Sequence, residues 1–67
     1  MSLEAYLRNV EEKTGKSPAE LEAAARELGL TEPLAKAGTI TDWLKRDFGL
    51  GHGHAMAVYA YLKGKRS

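Results

Sequence analysis

Phe48-Gly49-Leu50-Gly51-His52-Gly53-His54-Ala55 is the stretch on which the reading of this chain turns. Three glycines alternate with Leu50 and His52, between two runs of helical apolar spacing. Glycine serves where the backbone needs a positive φ or must approach another group closely. A single glycine would stop a helix; this cluster asks for a tight corner. Gly51 and Gly53 also leave backbone N–H groups uncovered at the start of the next helix. Such groups, with the positive end of the helix dipole, form an anion site.

Downstream, residues 55–62 carry no charge. Ala55, Val58, Tyr59 and Leu62 form one stripe, and Met56, Ala57, Ala60 and Tyr61 make the other sides apolar too. A helix apolar all round is a central, buried one; the alternative is that part of it packs on a second subunit. Residues 63–67 read as a frayed tail. Upstream, Ile40, Trp43, Leu44 and Phe48 make the stripe of a helix expected to start at Thr39, with Asp42 as capping-box partner. Gly49 would end it.

The first half follows the same logic. Leu3, Tyr6, Leu7 and Val10 share a helical stripe, with Ser2 as cap and Gly15 as stop, so a helix is expected over Leu3–Thr14. Ser17-Pro18-Ala19-Glu20 is a helix start: Ser17 at the N-cap, Pro18 first in the helix, Glu20 reaching back. Leu21, Ala24, Ala25 and Leu28 repeat the stripe, and Gly29 closes it. Pro33 can open a helix but not sit inside one, so a short connector helix over 33–37, stopped by Gly38, is expected. No run alternates as a strand would. The expected fold is all-α: one compact domain over 1–67, of four main helices plus a short connector helix.

Composition bounds the function. The chain has 67 residues, 10 Lys+Arg against 9 Asp+Glu, 43% hydrophobic residues and no Cys. That excludes a disulfide scaffold, a cysteine-ligated zinc site and a thiol nucleophile. No apolar run approaches the roughly 18 residues a membrane span needs. The start of the chain lacks the apolar core of a signal peptide, so a cytoplasmic protein is expected. A domain this small buries only about 60% of the surface its unfolded chain exposes, which makes a deep catalytic cleft hard to build. Binding something larger, or a copy of itself, is the more natural use. Residues 1–35 carry 4 basic and 7 acidic side chains, residues 36–67 carry 6 basic and 2 acidic. This points to a basic face in the second half, or to head-to-tail self-association.

The spacing Gly49-Leu50-Gly51, then Ala55, then Val58 resembles the helix-hairpin-helix motif, whose hairpin N–H groups bind DNA or RNA phosphates without reading sequence. The resemblance makes Gly49 and Gly51 the hairpin glycines, Leu50 the plug into the core, Ala55 the close-packing residue and Val58 a core residue. An echo lies 34 residues earlier, in Gly15-Lys16-Ser17, Leu21 and Ala24, with Ser17 in place of the second glycine. It suggests two helix-hairpin-helix-like units. Nucleic-acid-binding members of that family place Lys or Arg beside the hairpin, where this chain has His52 and His54. Lys45, Arg46, Lys63, Lys65 and Arg66 are the cations that could gather there.

The whole chain is also similar to a small bacterial domain family of unknown function (DUF4287). The similarity rests on an opening like Leu3 through Gly15 and Lys16, a central Lys36-Ala37-Gly38, and a closing Trp43-Leu44-Lys45 followed by the Gly-His-Gly-His segment. It implies a shared fold and supplies no activity.

Function is therefore read as that of a binding module. The candidate residues for an anion, nucleic acid first, are Gly49, Gly51, His52, Gly53, His54, Lys45 and Arg46. One alternative is a protein-interaction or homodimerisation module with no nucleic-acid role, acting through residues 55–62. Another is a metal site at His52 and His54. Residues two apart on a regular helix point some 200° apart, so chelation requires that segment to be loop, and a third or fourth ligand would come from Asp42 or Asp47. No spacing assembles a nucleophile, a base and an orienting acid. No enzyme, cofactor or membrane role is expected.

Overall fold

The computed structural model describes residues 3–31 and 33–66, with 65 and 66 as backbone alone. Its helices are α1 (Leu3–Thr14), α2 (Pro18–Glu27), α3 (Ala37–Phe48) and α4 (His52–Arg66). The fold is all-α, as the apolar spacing requires. Ser2, the expected cap of α1, lies outside the described residues.

The start of α2 forms as its residue types dictate. The Glu20 N–H donates to Ser17 Oγ at 3.2 Å. The Ser17 N–H donates to Glu20 Oε1 at 2.9 Å, and Pro18 opens the helix. These bonds favour the ionised carboxylate and hold Glu20 below the ordinary glutamate value of 4.5.

Leu28 departs from the expected stripe: it is 60% exposed. The chain turns left-handed at Gly29, where φ is +74°. Leu30 N–H then donates to Ala25 O at 2.9 Å, and Gly29 N–H to Arg26 O at 3.0 Å. This is a Schellman turn, and it delivers Leu30 rather than Leu28 to the core.

The connector helix does not form. Thr31 and Leu34 make an isolated bridge with Pro33 in the turn between them. Ala35 N–H donates back to Leu30 O at 2.7 Å. Pro33 brings no N–H to a helical ladder, and the tight turn lets Leu34 and Ala35 lean on the core. Nor does Gly38 stop anything. Its φ is not positive, and it sits in the first turn of α3, which begins at Ala37 rather than Thr39. Lys36 holds the N-cap position without a side-chain cap, and its carbonyl accepts from the Ile40 N–H at 3.1 Å. Asp42 is exposed and caps nothing.

Helix α4 is the hub. It packs most extensively on α3 and α1, and also on α2. Val10, Leu21, Ala25, Ile40, Leu44, Ala55 and Val58 are fully buried around it. Trp43 lies edge-on to Phe48, ring centroids 5.4 Å apart. The helix is longer at both ends than its apolar run, starting at His52 and continuing to Arg66. It leaves Met56 and Ala60 exposed. No helix among the described residues is long and apolar enough to cross a membrane.

Candidate anion-binding corner

The corner between α3 and α4 is three residues long. Gly49 takes a left-handed conformation, φ 66° and ψ 25°, which an L side chain would strain. Its N–H donates to Lys45 O at 3.1 Å, and Leu50 N–H reaches Leu44 O at 3.5 Å. Both amides thus serve the end of α3. Gly49 shapes the corner but offers no N–H to a ligand, which corrects its place among the candidate residues. Leu50 is 3% exposed and plugs the corner into the core.

Beyond Leu50 the corner opens. Gly51 is exposed, and its carbonyl accepts the Ala55 N–H at 2.9 Å, the first bond of α4. The N–H groups of His52, Gly53 and His54 occupy the first turn, where a helix supplies no acceptor. His52 and Gly53 are exposed.

His54 faces inward instead. Its ring meets Tyr6 of α1 edge-on, centroids 5.3 Å apart, and its buried Nε2 has no hydrogen-bond partner among the described residues. The Tyr6 ring also comes within 3.8 Å of where a side chain would start at Gly53. His54 is therefore a seam residue, packed on Tyr6, and its ring is not presented at the corner. Because His52 and His54 both lie in α4, their side chains diverge, and the loop geometry that chelation needed is not what forms. No group of three His, Cys, Asp or Glu that could hold a metal is gathered among the described residues.

Lys45 and Arg46 are exposed in the last turn of α3 and, with Asp42, line an open depression of about 340 Å³. They flank the corner through the same turn whose carbonyls receive Gly49 and Leu50.

A model for one family, described as "Domain of unknown function (DUF4287)", matches residues 2–64. The chain belongs to this family. No curated protein and no solved structure matches it.

Within this DUF4287 domain the α1–α2 corner repeats the α3–α4 corner 34 residues earlier. Gly15, φ +74°, stands where Gly49 stands, and its N–H donates to Glu11 O at 2.8 Å, as Gly49 does to Lys45. Ser17 O accepts from Leu21 N–H at 3.0 Å, as Gly51 does from Ala55. Leu21 and Ala55 are both fully buried, and so are Val10 and Leu44 on the preceding helices. Lys16, in contrast, is exposed where Leu50 is the plug. The corners also differ in how they treat their amides. Glu20 closes the first with its own carboxylate; at the same positions the second has Gly51, without a side chain, and His54, turned under Tyr6.

Proposed function

We propose that this domain is a binding module, not an enzyme, and that its α3–α4 corner takes an anionic group, with a nucleic-acid phosphate as the ligand that suits the helix-hairpin-helix-like form. One observation carries the reading. The two corners share the bond that ends the first helix at its glycine and the bond that opens the next helix, and where the first holds a carboxylate oxygen on the Ser17 amide at 2.9 Å, the equivalent Gly51 is exposed and has no such carboxylate. The chemistry that satisfies the first corner is an anion, so an anion is what the second would accept. Lys45 and Arg46 add positive charge beside it, and Asp42 subtracts some. With a net charge of +1 and two cations beside the corner, the binding is weak and falls as salt rises.

The interaction-module alternative has less support at α4. Ala55, Ala57, Val58 and Leu62 are buried within the domain, so the uncharged run exposes Met56 and Ala60, with Tyr59 and Tyr61 half-buried.

The test is amide-resolved NMR at low salt, titrating first inorganic phosphate and then duplex and single-stranded oligonucleotides. Shifts concentrated at Gly51, His52 and Gly53 are expected, and they should vanish in Gly51→Glu, whose side chain meets open space. Unmoved corner amides, or binding that survives Gly51→Glu, would overturn the reading.

A further inference from the structure

The 34-residue correspondence extends from the corners into the helices before them, and there it inverts charge. Arg8 of α1 corresponds to Asp42 of α3, Glu11 to Lys45, Glu12 to Arg46 and Lys13 to Asp47. All eight side chains are exposed. None is in an ion pair among the described residues, whose recorded pair is Arg26 with Glu22 at 3.6 Å. Positions 8, 11 and 12 share one helix face, and so do 42, 45 and 46. Each face carries an open depression: one lined by Asp42, Lys45 and Arg46, the other, about 300 Å³, lined by Glu4, Leu7, Arg8, Glu11 and Pro18. Two helix faces at corresponding positions thus carry opposite charge patterns.

We propose that copies of this domain associate head to tail, the outer face of α1 in one copy lying against the outer face of α3 in the next. Set side by side in the same direction, Arg8 meets the neighbouring copy's Asp42, Glu11 meets its Lys45 and Glu12 meets its Arg46. In a two-fold dimer through either face the helices run antiparallel, and Glu11 meets Glu11, or Lys45 meets Lys45, between two favourable pairs, whereas the head-to-tail contact matches all three positions. Because the two faces are different patches, the contact is heterologous and extends to a third copy rather than closing at two. Exposed ion pairs are individually weak and screened by salt, so the assembly is concentration-dependent and dissolves as ionic strength rises. It goes beyond the anion reading and competes with it, since both use Lys45 and Arg46.

Sedimentation of the full chain over a wide concentration range, at low and high ionic strength, tests it. The average mass should rise with concentration at low salt and fall to that of the monomer at high salt. Glu11→Lys with Glu12→Lys, and separately Lys45→Glu with Arg46→Glu, should each weaken self-association about tenfold or more. Mixing the two variants should restore it, because the reversed faces complement one another. All four positions are exposed, and circular dichroism verifies that the variants fold. The Glu11, Glu12 variant leaves the α3–α4 corner untouched, so phosphate-induced shifts at His52 and Gly53 report on the anion reading independently. A strict monomer at low salt, variants that associate like the parent, a mixture that stays monomeric, or association that persists at high salt would each overturn the proposal.

Discussion

His54 and Tyr6 close the seam between α4 and α1 by an edge-to-face contact, ring planes 79° apart. An aromatic pair of this geometry contributes about 0.5–1.5 kcal/mol beyond the area it buries. Tyr6→Ala removes the pair and part of the α1 packing, and should cost about 2 kcal/mol in urea unfolding. His54→Phe keeps a ring in place and removes the unpartnered Nε2, so it should leave stability equal or higher. A large loss in His54→Phe would show that the imidazole has a partner of its own.

The plug and the cap of the α3–α4 corner make opposite predictions. Leu50→Ala empties a nearly fully buried site and should cost about 3 kcal/mol, enough to unfold a large share of so small a domain. Gly51→Ser supplies the missing N-cap hydroxyl, meets nothing within 4 Å, and should raise stability by a few tenths of a kcal/mol. If the corner binds anions, the same substitution weakens phosphate binding while the melting temperature rises, a combination that damage to the fold does not produce.

Three glycines separate by backbone conformation. Gly15→Ala and Gly49→Ala, at φ +74° and +66°, should each cost about 1–2 kcal/mol. Gly38→Ala lies in the first turn of α3 with open space around it and should be neutral or stabilising. Thermal unfolding of the three variants side by side checks this, and equal losses at all three would contradict the assignment of Gly38 to the helix.

Glu20 sets a pH dependence. Its folded carboxylate is held below the ordinary value by bonds from Ser17 and by the nearby Lys16 charge. A lowered folded value means that the contribution is complete above the unfolded glutamate range and is lost as pH falls through the folded value. Glu20→Gln can still accept the Ser17 N–H but does not titrate. The stability difference between parent and Glu20→Gln should therefore be flat above about pH 5 and shift in favour of Gln below it, as read by unfolding curves across the acid range.

Much of the fold could be read from residue types. Ser17, Pro18 and Glu20 announce a helix start, and Gly15, Gly29 and Gly49 announce ends, because each supplies something the backbone cannot get elsewhere. The beginning of α3 stayed hidden for the same reason: Lys36 has no capping side chain, so nothing local marks it, and Gly38 looks like a stop until its φ is known. Leu28 was misplaced because helical periodicity says nothing about the left-handed residue that follows. At the corner, the sequence located Leu50 and Gly51 but could not assign His54, whose partner Tyr6 lies 48 residues away. The charge asymmetry and the 34-residue echo are both legible in the sequence, and the matching geometry of Gly15 and Gly49 pairs the inverted positions one by one.

Helix α4 touches each of the other three helices, whereas α3 has little contact with α1 or α2. During synthesis, then, the first three helices leave the ribosome before the element that joins them. A nascent chain cut before His52 has the α1–α2 hairpin and α3 without the element that joins them, so the common interior waits for α4 to leave the exit tunnel. The domain is organised around the fourth of its helices.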